Sequence, residues 1–198
     1  MIHKLLLEEL YLNKGLSSAE IARKLKYSPN KVDYWIQKHG IQKRSISAAI
    51  YQKRNPDGDP FRVRKPKNID EAILYGMGIG LYWGEGTKRN KLSTRLGNSD
   101  PFLLKKFIQF LEVMFCIDVK RLKFGIQIFG DMHADTVLAF WMKALKTKRS
   151  QFYKPIVTPH RGVGNYRQKT KYGVVTLYFN NRKLRDIICR AIEEESKQ

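Results

Sequence analysis

The chain has 198 residues, and 38 Lys and Arg against 18 Asp and Glu leave a formal net charge of +20. Such a charge points to an anionic polymer as partner, because paired phosphates or released counterions relieve the self-repulsion. A hydrophobic fraction of 42% with 10 Tyr, 10 Phe and 3 Trp excludes a disordered basic tail.

Residues 1–44 read as a small all-α module. Leu5, Leu6, Leu10 and Tyr11 make the apolar side of a first helix that stops around Asn13 to Gly15. Ser17 with Glu20 fits a capping box, behind which Ile21, Ala22 and Leu25 face inward. Ser28 caps a third helix with Pro29 in its first position. Val32, Trp35 and Ile36 are its buried face, and Gly40 with Ile41 ends it. The helix lengths and the tight turn across Lys26–Ser28 suit a helix-turn-helix, and the stretch resembles that of resolvases and transposases. Asn30, Lys31, Tyr34, Gln37 and Lys38 lie on the exposed side, where they can contact phosphates or base edges. The alternative is a three-helix interaction domain with solvated lysines. Residues 45–68 carry three prolines and no sustained period, and read as a basic linker through Lys53, Arg54, Arg62, Arg64, Lys65 and Lys67.

From Ile69 to Trp83 an apolar stretch predicts a helix of about four turns. Ala72, Gly76, Gly80 and Gly84 recur every four residues and would line one smooth stripe along it. Each Gly costs such a helix roughly 1 kcal/mol relative to Ala, and close contact with a second helix would offset that cost. Glu85 follows the stripe directly, so pairing of two chains would set two carboxylates side by side, a setting for a divalent metal. A phosphate-binding loop is excluded, since Thr87 precedes Lys88 in the wrong order.

Residues 78–86, G-I-G-L-Y-W-G-E-G, resemble the motif of the LAGLIDADG homing-endonuclease family. Gly80, Leu81 and Gly86 match the family's Gly, Leu and final Gly, and Glu85 falls on its catalytic acid. The usual Asp is Glu here, and Trp83-Gly84 replaces an Asp-Ala pair. The resemblance implies a homodimer through Ala72, Gly76, Gly80 and Gly84, with Mg²⁺ held at Glu85 and Gly84 and hydrolysis of double-stranded DNA. It also implies an α+β fold for residues 69–198: a saddle of antiparallel β-sheet with packed helices, following the helix-turn-helix module.

Beyond the motif, Lys91 to Leu96 alternates as a half-buried strand, with Lys91, Ser93 and Arg95 on one side. It is the one convincing strand before Pro101, where the family has two. Asp100-Pro101 opens a helix that directs Leu104, Phe107, Ile108, Leu111 and Phe115 inward. A strand over Leu122–Phe129 and a helix over Asp131–Leu145 follow. Strands around Tyr153–Val157 and Val174–Phe179 precede a last amphipathic helix carrying Leu184, Ile187, Ile188, Ala191 and Ile192. From Thr136 to Arg185 there is no acidic residue, and Arg167, Lys169 and Lys171 stand at every second position. With Lys91 and Arg95 they would form a basic sheet surface that tracks a duplex. Arg161 in a Gly-containing loop can bind phosphate, and Lys169 or Lys171 can polarise the catalytic site.

Cys116 and Cys189 sit in apolar helical patterns and read as reduced core residues. No run reaches membrane-span length and the opening residues lack the apolar core of a secretory signal, so a cytoplasmic setting without membrane partner is expected. His3, His39, His133 and His160 assemble into no zinc motif. The expected activity is therefore Mg²⁺-dependent DNA cleavage, with no small-molecule substrate. Its alternatives are a non-catalytic transcription regulator of similar fold and a maturase-like RNA binder.

Overall fold

A computed structural model describes residues 1–130, 132–159 and 171–196. The chain divides into two compact units, Met1–Pro60 and Phe61–Gln198, and its helices and sheet place it in the α+β class. Among the described residues no helix is long and apolar enough to cross a membrane.

In the first unit α1 (Lys4–Glu8) runs into one π-helical turn, Glu9–Asn13, and is followed by α2 (Ser18–Leu25) and α3 (Pro29–Lys38). The capping box at α2 forms both bonds: the Ser17 amide donates to Glu20 Oε2 at 2.8 Å, and the Glu20 amide to Ser17 Oγ at 3.3 Å. α2 ends on Lys26 in the left-handed region, φ 56°, and Ser28 caps α3 by accepting from the Lys31 amide. Ser18 Oγ donates to Asp33 Oδ1 at 2.7 Å, locking α2 to α3. The core holds Leu7, Leu10, Tyr11, Ile21, Ala22, Val32 and Ile36. Leu5 and Leu6, expected inside, are exposed. Leu7 is spaced three and four residues from Leu10 and Tyr11 and takes the inward position instead.

The segment expected as a linker is structured at both ends. α4 (Ile46–Arg54) starts at the Ser45 cap and is tied down by Arg44, whose guanidinium donates to the carbonyls of Gly15 and Leu16 at 2.9 and 2.7 Å and to Gln52 Oε1. α4 buries no residue, which is why no hydrophobic period announced it. Within the second unit the Arg62 and Arg64 amides donate to the Phe115 and Met114 carbonyls at 2.9 and 2.8 Å, and Phe61 is buried.

The second unit runs α5 (Ile69–Glu85), β1 (Thr94–Asn98), α6 (Pro101–Phe115), β2 (Lys123–Phe129), α7 (Ala134–Leu145), β3 (Ile156–Thr158), β4 (Val174–Phe179) and α8 (Arg182–Glu195). The strands lie in the order β1-β4-β2-β3. β4 is antiparallel to β1 and β2, but β3 is parallel to β2, so the sheet is mixed where an antiparallel one was expected. α7 lies between β2 and β3 in the chain, and such a crossover returns the chain in the same direction. One face of the sheet is apolar: Leu96, Phe124, Ile126, Ile128, Val175, Leu177 and Phe179 are buried together with Leu104, Phe107, Leu111 and Met114 of α6 and Leu184 and Ile188 of α8. Tyr82 of α5 stacks on Phe107 with ring centroids 5.9 Å apart.

Three local expectations shift. Asn90 Oδ1 accepts from the Leu92 and Ser93 amides at 2.9 and 3.2 Å, and this side-chain turn keeps Lys91 off the strand. The strand expected from Tyr153 begins at Ile156. Cys189 is buried, but Cys116 is exposed, because α6 stops there with a left-handed cap at φ 49°.

Candidate functional site

α5 is held at its start by Asn68, whose side chain accepts from the Glu71 amide at 2.8 Å. Its inward positions are Leu74, Gly78, Ile79 and Tyr82. At Gly78 a β-carbon would enter the Phe110 ring, so this glycine lets α5 and α6 approach. Ala72, Gly76, Gly80 and Gly84 lie on the opposite, exposed face. A β-carbon on any of these three glycines would meet nothing within 4 Å. Ile69, Ile73, Met77 and Trp83 are exposed as well, at 79%, 58%, 43% and 48%. A groove of about 430 Å³ between α5 and α6 joins Ile73, Met77 and Val113 to Asp70, Glu71, Lys106 and Gln109.

The exposed face ends at Glu85, the last residue of α5, whose side chain is exposed. The chain then turns to the free edge of β1: Gly86 pairs with Leu96, and the Thr87 amide donates to the Arg95 carbonyl at 2.9 Å. The Tyr82 carbonyl accepts from the Gly86 amide at 2.9 Å, and the Trp83 carbonyl accepts from the Lys88 ammonium. The Gly84 and Glu85 carbonyls lie in the last turn of α5, where an α-helix has no amides left to bond its own carbonyls. Carbonyls at a helix C-terminus beside a carboxylate are hard oxygen donors in a negative field, which suits Mg²⁺. Among the described residues no three His, Cys, Asp or Glu side chains converge, so the chain itself offers Glu85 and backbone oxygens there.

Beneath this end lies Tyr82, with its hydroxyl buried beside the Arg95 amide. Burial, and to a lesser degree the nearby Cys189, pushes its pKa up to about 12 against the opposing pull of the Arg95 amide and the Arg185 and Arg95 guanidiniums.

The second face of the sheet is built from the alternate residues, in rows fixed by the strand register. Arg95, Tyr178 and Lys123 form one row, Gly97, Thr176 and Gly125 the next, and Val174, Gln127 and Ile156 a third. Arg95 is aimed by a 2.7 Å bond from its Nε to Ser93 Oγ, and its guanidinium lies 5.1 Å from the Tyr178 ring centroid. Tyr153 meets the same ring edge-on at 5.7 Å. Lys123 Nζ donates to the Ser150 carbonyl at 2.9 Å, and Gln127 Nε2 donates to Thr158 Oγ1 at 3.0 Å. Cations beside polar edges and small residues fit a nucleic-acid surface: the cations take phosphates, and the amide and hydroxyl can face bases.

On α3, Lys31, Tyr34, Gln37 and Lys38 are all exposed. The Lys31 ammonium lies 4.1 Å from the Tyr27 ring centroid, and Lys38 lies 5.5 and 4.9 Å from those of Tyr34 and Trp35. Lys91 is exposed but off the sheet, whereas Arg95 is on it. Lys171 is exposed in the turn before β4, with its ammonium 5.6 Å from the Tyr172 ring centroid, and no ion pair joins it to Glu85 among the described residues. Arg161, Arg167 and Lys169 lie outside the described residues. Sequence reasoning missed Lys123, Gln127, Tyr153 and Tyr178, which only strand register places beside Arg95. It also missed Lys88, although the nearness of that lysine to Glu85 in the chain was a usable signal.

Compared with known proteins, the chain matches no family model, and no curated protein and no solved structure matches it significantly.

Proposed function

We propose that the chain is a homodimeric, Mg²⁺-dependent DNA endonuclease of the LAGLIDADG type with an amino-terminal helix-turn-helix. The observation that carries this reading is the α5 strip: an exposed run of small and apolar residues ends on an exposed carboxylate at the edge of an open, basic sheet face. An exposed helix with Gly76, Gly80 and Gly84 on one side is poorly stable unless a second helix covers it. Two such helices, packed on their stripes, bring two Glu85 carboxylates together above the axis of the duplex.

In this arrangement Arg95 and Lys123 hold backbone phosphates, while Gln127 and Thr176 face the base edges and set register. α3 contributes Lys31, Gln37 and Lys38 to contacts outside that stretch. Glu85 and the Gly84 carbonyl hold the cation. When bound, Mg²⁺ supplies an activated water and stabilises charge on the leaving oxygen.

The deciding experiment selects a bound duplex from random DNA and follows its cleavage in Mg²⁺. Glu85→Gln keeps the shape but removes the charge the cation needs, so binding should persist while cleavage falls by about 10³-fold or more. Tight binding by wild type without cleavage in Mg²⁺ or Mn²⁺ replaces the nuclease with a transcription regulator. Equal cleavage by wild type and Glu85→Gln moves the chemistry away from this residue.

A further inference from the structure

Glu85 makes no side-chain hydrogen bond or salt bridge among the described residues, so the backbone around it fixes only where its side chain leaves the chain. That backbone is pinned in succession: the Gly86 amide on the Tyr82 carbonyl, the Thr87 amide on the Arg95 carbonyl, and the Lys88 carbonyl on Nη2 of Arg185. The Lys88 side chain closes the loop by donating back to the Trp83 carbonyl. Of these anchors, Arg185 alone is a side chain reaching in from another helix.

Its placement is costly. Arg185 lies in the first turn of α8, whose start is set by the Asn181 cap accepting from the Leu184 amide at 3.0 Å. A cation at a helix N-terminus opposes the dipole, and this one is only 15% exposed. Its Nη1 pairs with Asp186 Oδ1 at 3.0 Å, and Arg182 Nε meets Oδ2 of the same carboxylate at 3.4 Å. Its Nε is buried without a partner among the described residues. The fork that serves Asp186 with one nitrogen and the Lys88 carbonyl with another is a reason for an arginine here, since a lysine offers a single point charge.

We propose that Arg185 is a positioning residue that holds the 86–88 loop and thereby fixes the backbone position from which the Glu85 side chain projects. Its catalytic consequence rests on the nuclease reading; the hold on the loop does not. The test compares the full chain with Arg185→Gln and Arg185→Lys by hydrogen exchange, without DNA or metal. Both variants should speed exchange at the Gly86 and Thr87 amides by about tenfold or more while the β4 amides keep their protection. Unchanged exchange at Gly86 and Thr87 overturns the proposal. Should Arg185→Gln fail to fold, Arg185→Lys, which keeps the charge, is read in the same way.

Single-turnover cleavage of the selected duplex then separates the two readings. Arg185→Lys should lower the cleavage rate at an unchanged DNA dissociation constant, the signature of a misplaced carboxylate. Faster exchange with an unaltered cleavage rate overturns the positioning of Glu85. Absence of cleavage by wild type removes the nuclease reading, and the exchange result alone then upholds or overturns the hold on the loop.

Discussion

At Gly78 a β-carbon would run into the Phe110 ring, while at Gly76, Gly80 and Gly84 it would meet open space. Glycines of one helix thus serve different purposes, and substitution separates them. Gly78→Ala should destabilise the fold by about 1–3 kcal/mol through overpacking. Gly80→Ala, in dilute chain, should stabilise it by up to about 1 kcal/mol through helix propensity. Urea unfolding of both variants checks this, and similar losses in the two would refute the assigned orientation of α5. Asp33 carries a pH dependence of the first unit. The Ser18 hydroxyl bond first, and then Lys43 at 3.0 Å, hold its carboxyl below the ordinary value of 3.8. A depressed carboxylate stabilises the fold above its unfolded pKa, and that contribution is lost as pH falls from about 3.8 through the lower folded value. Asp33→Asn should therefore flatten the acid limb of stability below that pH, as followed by the Trp35 fluorescence. An acid limb as steep as that of wild type would show that Asp33 does not contribute.

The outer face of α5 is exposed and carries Ile69, Ile73, Met77 and Trp83 beside its glycine stripe. If a second copy covers it, Gly80→Leu should raise the dimer dissociation constant at least about tenfold, equivalent to ~1.4 kcal/mol, because the bulkier side chain forces the backbones apart. Sedimentation equilibrium measures this, and a wild-type chain that is monomeric both free and on DNA ends the dimer proposal. The elements differed in how plainly the sequence announced them. α2 and α3 carry their own caps in Ser17, Glu20, Ser28 and Pro29, and such signals are local. α6 and β4 show clear hydrophobic periods because each buries one side. α4 buries nothing, so it has caps but no period, and β3, three residues long with Ile156 and Val157 exposed, has neither.

Across the whole molecule, a net charge of +20 makes salt dependence the most direct measure of DNA binding. Neutralising Lys31 and Lys38 on α3, or Arg95 and Lys123 on the sheet, should each lower the log–log salt slope by about 0.9 for every phosphate left without its cation. A slope untouched by the Arg95 and Lys123 pair would remove the sheet face from the interface. The sequence by itself determined the charge, the α+β class, the inward faces of most helices and the Gly stripe ending on Glu85. These are carried by composition and by residues a few positions apart. Only the tertiary structure decided that β3 runs parallel to β2 and that Arg95, Tyr178 and Lys123 share one row. It alone brought Arg185 under Lys88, 97 residues away. Strand register and helix packing join residues distant in the chain, and no local period encodes which partner each will meet.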